Sequence, residues 1–142
     1  MTRGALSGKS KLRMLNLSNN RLKDELLLTL CRGLKASNPD LKELNLSKNM
    51  MGDFSAIVLG DFLEHAISLE LLDLSWNRIT SYGGTKIFQG LKTGCSVRSV
   101  NIAYNLLGKS SSFEFVEAVQ LAANEDNLKH LDLSYNRMNK VV

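Results

Sequence analysis

The segment LELLDLSWNRI, residues 69–79, decides how this chain folds. Its apolar residues Leu69, Leu72, Leu74 and Ile79 stand at positions one, four, six and eleven, with Asn77 at position nine. The same spacing returns without gaps in LRMLNLSNNRL from Leu12, LKELNLSKNMM from Leu41, VRSVNIAYNLL from Val97 and LKHLDLSYNRM from Leu128. The asparagines Asn20, Asn49, Asn77, Asn105 and Asn136 follow at steps of 29, 28, 28 and 31 residues. Every apolar template position is filled by Leu, Ile, Val or Met. At the bulk 44% apolar content, chance would do this about once in ten million tries, so the period is a property of the fold.

Between the segments the apolar period lengthens from two to four. Leu30 and Leu34, Leu59 and Leu63, Ile87 and Leu91, and Phe115 and Val119 stand ten and fourteen residues after each Asn. Spacing by four puts each pair on one face of a helix. Asp24 and Asp53 are read as N-caps, and Ser111-Ser112-Phe113-Glu114 as a capping box. Gly52, Gly83, Gly84 and Gly108 are read into the turns before the helices. Asn38-Pro39 and Gly94 mark helix ends. Each unit is therefore expected to be a short strand, a turn and a helix, in one domain over residues 1–142. The repeats run at about 12–40, 41–68, 69–96 and 97–127, with a partial repeat at 128–142. The longer fourth step is assigned to three extra residues after the helix, in VQLAANEDNL.

These motifs resemble the leucine-rich repeat family over residues 12–138, and a 28–29-residue period with a full helix is similar to its ribonuclease-inhibitor-like branch. The resemblance implies an α/β fold, a right-handed β-α superhelix forming a segment of a horseshoe. Parallel strands line its concave face and helices its convex face. It also implies that each Asn amide bonds to loop backbone of its own and the adjacent turn. It implies no single activity, since members of the family serve as enzyme inhibitors, GTPase-activating proteins, innate immune sensors and actin-capping proteins.

Positions one, four and six are expected inside, because one coil cannot bury its apolar face without neighbours. Positions three, five and seven are then expected on the concave surface. They read Met14, Glu43, Leu71, Ser99, His130; then Asn16, Asn45, Asp73, Asn101, Asp132; then Ser18, Ser47, Ser75, Ala103, Ser134. Position eight reads Asn19, Lys48, Trp76, Tyr104, Tyr135, and position ten adds Arg21, Arg78 and Arg137. Trp, Tyr and Arg are enriched where proteins bind proteins. Trp76, Tyr104, Tyr135, Arg78, Arg137, Asp73 and Asp132 are thus the candidate partner-binding residues. Three readings stay open here: the aromatics are a contact row for a partner, or rings that pack over loop edges and on one another, or the partner binds a different surface such as the helices or an end. The Asn/Asp column reads as a polar, water-facing ladder. Asp73 and Asp132, two strand steps and roughly 10 Å apart, are too distant to share a metal.

No catalytic, cofactor or metal motif accompanies the repeat. Gly-rich phosphate loops, H-E-x-x-H and G-x-S-x-G are absent from the sequence. His130, Asp132 and Ser134, two apart on one strand, do not give nucleophile–base geometry. The net charge of +4, spread without a Lys/Arg cluster, argues against specific nucleic-acid binding. No apolar run approaches a membrane span, and no secretory signal is read at the N-terminus. Cys31 and Cys95 form no disulfide or zinc spacing and suit a reducing, cytoplasmic setting. The triplets Asn16-Leu17-Ser18 and Asn45-Leu46-Ser47 match glycosylation acceptors as by-products of the repeat.

Past Asn136 the chain has six residues, so Leu131, Leu133 and Val141-Val142 are expected to leave an apolar end face. A fragment of a longer repeat protein, an end-to-end homodimer or a capping partner would each account for it. The functional expectation is a non-enzymatic module that binds another protein through the concave face and its aromatic edge. The alternatives are a GTPase-activating type of module, or a structural piece of a larger cytoskeletal, ciliary or innate-immune-sensor protein.

Overall fold

A computed structural model describes residues 12–37, 40–92, 96–108, 112–124 and 126–137. Five strands, β1 Met14–Asn16, β2 Glu43–Asn45, β3 Leu71–Asp73, β4 Ser99–Asn101 and β5 His130–Asp132, form one parallel sheet in sequence order. Four helices alternate with them: α1 Asp24–Ser37, α2 Asp53–Leu63, α3 Ser81–Lys92 and α4 Phe113–Ala123. The register pairs template position with template position. Leu15, Leu44, Leu72, Val100 and Leu131 stand side by side, as do the residues before and after them.

The expected inward columns are the core, except that Leu12, at position one of the first coil, is exposed. Leu44, Leu72 and Val100 at position four, and Leu46, Leu74 and Ile102 at position six, are buried, with Met51, Ile79 and Leu107 beneath the turns. In the first and fifth coils Leu15, Leu17, Leu131 and Leu133 are half-buried against the same cluster. Met138 and Val141-Val142 lie outside the described residues, as do Asn38-Pro39, Gly94 and Cys95.

From Asn49 onward the asparagine column behaves as the resemblance implied, while Asn20 is exposed and its side chain donates only to Ser18 O among the bonds described. Asn77 donates from Nδ2 to Leu74 O and Ser75 O in its own turn and to Leu46 O in the preceding coil. Its Oδ1 accepts from Met51 N. Asn49, Asn105 and Asn136 repeat the pattern one coil on each time. One amide thereby satisfies backbone groups that burial would otherwise leave without water or partner.

Three details of the helices differ from the sequence reading. Asp24 and Asp53 are the first helical residues, not caps; the residue before α2, Gly52, makes no side-chain cap bond. Their carboxylates instead tie coil to coil. Asp24 accepts from the amide and hydroxyl of Ser55, and Asp53 from Thr80 N at 2.8 Å and Thr80 Oγ1 at 2.6 Å. Ser112 caps α4 by accepting from Phe115 N, which moves the cap one residue beyond the Ser111–Glu114 box; Ser111 itself is outside the described residues. Gly83 and Gly84 sit inside α3, not in a turn. A Cβ on Gly83 would stand 2.5 Å from Asp53 Oδ1, and one on Gly84 2.7 Å from Leu107 Cδ2, so close packing between coils explains both.

The extra residues of the fourth repeat also sit elsewhere. Helices α1, α2 and α3 begin four residues after their Asn, whereas α4 begins eight after Asn105. The insertion therefore precedes the helix, not follows it. With that shift Ala118 and Ala122, both buried, take the places of Ile87 and Leu91, while Val119 is only half-buried.

Candidate functional site

The position-eight residues Asn19, Lys48, Trp76, Tyr104 and Tyr135 all have φ between 55° and 58°. This left-handed region is uncommon for bulky L-residues and costs of order 1–3 kcal/mol each. Here it turns the chain sharply between the strand and the buried Asn. The side chain just before the Asn is left on the outside of the turn. Because the coils are in register, three of these side chains meet. Trp76 and Tyr104 stack with ring centroids 3.9 Å apart and an 8° interplanar angle, and Tyr104 and Tyr135 with 4.3 Å and 9°. Trp76 remains 50% exposed and Tyr135 70% exposed, with Tyr104 half-buried between them. The rings do pack on one another, and they still present a continuous edge to solvent.

Arg78 and Arg137, two residues after Trp76 and Tyr135, are exposed. The Tyr104 phenol is held above its ordinary range, first by desolvation, then by its hydrogen bond to Tyr135 and the charges of Tyr135 and Asp132. The Asp132 carboxyl is held below its ordinary range by the hydroxyl and amide of Ser134.

Asp73 and Asp132 have a structural task that the sequence reading missed. At position five each Asn or Asp accepts, through Oδ1, the amide hydrogen two residues on: Ser18, Ser47, Ser75, Ala103 and Ser134 respectively. This Asx turn ends each strand. The ladder is therefore only partly turned to water. Asp73 and Asp132 are separated by Asn101 in the register, two strands apart as expected. Position seven departs further. Ser47, Ser75 and Ala103 are buried, because the strand stops at position five and its alternation no longer governs the turn. Only Ser134 of that column is exposed. Its hydroxyl donates to Asp132 at 2.6 Å, so Asp132 holds the turn instead of a histidine base. On the concave strands Met14, Leu71 and His130 are exposed, and Glu43 and Ser99 half-buried.

Elsewhere, Asp61, Glu64 and His65 at the exposed end of α2 bring one possible donor atom each within 4.8 Å of one another. Cys31 is buried, its thiol pushed up to about 12 by desolvation and then by Asp61. Among the described residues no helix is long and apolar enough to cross a membrane.

Stacked coils of strand, asparagine turn and helix, sharing one core, define a solenoid repeat protein. Family profiles described as Leucine Rich repeat match residues 37–60, 65–88, 126–140 and 11–34, more than half of the sequence. The chain belongs to the leucine-rich repeat family. It is 33% identical over 94 residues to protein NLRC5 of Mus musculus, a match covering 66% of this chain and 5% of that protein. It is 27% identical over 128 residues to NACHT, LRR and PYD domains-containing protein 9 of Bos taurus, covering 88% of this chain and 13% of that one. The chain thus corresponds to a small part of either relative. Among solved structures, Leiomodin-1 actin-binding site 2 superposes with a TM-score of 0.70 at 19% identity, over 87% of this chain and 70% of that one, which is a likeness of fold.

Proposed function

We propose that the chain is a non-catalytic binding module that grips a folded protein partner with its concave face and the adjoining aromatic edge. The observation that supports this most is the stacked, solvent-edged row Trp76–Tyr104–Tyr135, with Arg78 and Arg137 beside it. Rings already ordered by stacking lose little freedom on binding, and rigid Trp, Tyr and Arg anchors carry most of the energy of protein interfaces. Exposed Met14 and Leu71 extend the apolar contact onto the strands. Asp73 and Asp132, engaged in their Asx turns, belong to the frame that orients this row. The same reading puts the chain in the cytoplasm, where a buried unpaired thiol such as Cys31 stays reduced.

The test is to purify the partner with the intact gene product and measure affinity for Trp76→Ala and Tyr104→Ala. A loss of about 2 kcal/mol or more for each is expected of anchors. Unchanged affinity moves the site off this edge.

A further inference from the structure

Once the fourth-repeat insertion is placed before α4, a second aromatic rank emerges. Phe54, Tyr82 and Phe113 each lie in the first turn of their helices, α2, α3 and α4, one coil apart. They are 51%, 60% and 80% exposed. The core does not need them, since Leu59, Ile87, Phe88 and Phe115 fill it from the same helices. Between Tyr82 and the start of α4 a cleft of about 310 Å³ is lined by Lys86, Gln89, Ser112 and Glu114 among others.

The chain runs from position eight through position ten into the helix start, so this rank shares one rim with the Trp76–Tyr104–Tyr135 stack. Cations lie between the two rows. Arg21, Arg78 and Arg137 are exposed there, Lys48 is exposed in line with the first row, and none of the four forms an ion pair with a described residue. The exposed acids on the rim are fewer, Glu25, Glu114 and Asp132, while the half-buried Asp24 and Asp53 keep their charge with their carboxylates bonded to Ser55 and Thr80. Aromatics flanking arginines also suit single-stranded nucleic acid, whose bases stack on open ring faces. Here both faces of Tyr104 and one face each of Trp76 and Tyr135 are occupied by the neighbouring ring. That favours a polypeptide.

We infer that this rim takes an acidic protein segment bearing apolar side chains, its carboxylates on the arginines and its apolar groups over Phe54, Tyr82 and Phe113 and in the adjoining cleft. The inference rests on the protein-binding reading above and names the chemistry of the partner. Arginines without an ion pair among the described residues offer forked donors to carboxylates, and the two aromatic rows give the segment apolar seats on either side.

Selection of displayed random 16-residue peptides on the folded protein tests it, followed by anisotropy titrations of the selected peptides. Enrichment of Asp and Glu together with Leu, Phe or Trp is expected. Their affinity should fall about tenfold with Arg78→Glu and with the pair Tyr82→Ala and Phe113→Ala, and should weaken as salt is raised. These side chains are exposed, and an unchanged circular dichroism spectrum checks that the variants fold. A selection that yields nothing or basic peptides, or affinities indifferent to the rim variants, overturns the inference. So does an oligouridine that binds as tightly and competes with the peptides. Peptides sensitive to Trp76→Ala and Leu71→Ala but not to the rim variants would sink this inference and leave the concave-edge reading standing. Sensitivity to neither set would sink both.

Discussion

Asn77 is buried with its amide bonded to three carbonyls and its oxygen bonded to Met51 N, whereas Trp76, one residue earlier, lies half exposed on the same turn. Both columns repeat in every coil, and both depend on the parallel register. They differ in what holds the side chain. The asparagine is constrained on every polar atom by backbone that cannot reach water. The position before it is constrained only by its left-handed backbone, which the turn demands of Asn19, Lys48, Trp76, Tyr104 and Tyr135 alike. Side chains as different as Lys and Trp therefore occupy the same place in the fold. A solenoid in this way separates the residues that build it from those free to recognise something.

The strongest challenge to this comparison is Asn77→Ala. It strands at least two buried backbone groups, at about 1–3 kcal/mol each, so a loss of about 3 kcal/mol or more is expected in denaturant unfolding. Asn20→Ala sharpens the point within one column. Asn20 is exposed and donates only to Ser18 O among the bonds described, and its loss should cost about 1 kcal/mol. Equal costs at the two sites would break the account of burial. Trp76→Gly should come next. It removes a stack worth about 0.5–1.5 kcal/mol but relieves left-handed strain of about 1–2 kcal/mol, so stability should stay within about 1 kcal/mol of the parent. A large loss would show that the aromatic row is part of the frame.

The smallest effect is a titration. Folding holds the Tyr104 phenol neutral to higher pH than usual. Its contribution to stability is therefore complete below the ordinary phenol range and is lost as pH rises through the raised value. In an ultraviolet phenolate titration Tyr135→Phe should bring the Tyr104 midpoint down, since it removes both the hydrogen bond and the neighbouring charge. Desolvation, the larger cause, remains, so the return should be incomplete. An unmoved midpoint would mean that the two phenols do not interact.

Much of this was legible in the chain. The columns Leu44–Leu72–Val100 and Asn49–Asn77–Asn105 were read correctly because a period of 28–29 residues forces equivalent positions into equivalent surroundings. The adjacency of Trp76, Tyr104 and Tyr135 followed from the same count. What the count misjudged lay where regular alternation ends. Ser75 is buried because β3 stops at Asp73. Asp53 bonds to the next coil, a partner 27 residues away that no local cap rule anticipates. In the fourth repeat Phe115 is buried as expected, but spacing alone could not tell Val119 from Ala118 and Ala122 as its inward companions. The misplaced insertion hid the equivalence of Phe113 with Tyr82 and Phe54. Aligning the helices on Ser112 as the cap would have found it.

By itself, then, the sequence determined the coil, its repeat length, its interior and the polar residue that closes each turn. These follow from which side chains leave water and which backbone groups then need partners, and both recur with the period. Only the tertiary structure decided how neighbouring coils lock and what they show to solvent: the Asp24–Ser55 and Asp53–Thr80 ties, the helix contacts that require Gly83 and Gly84, the stacked rings and the second aromatic rank. Such features depend on distances between residues a full coil apart, which spacing along the chain constrains only after the coils are packed.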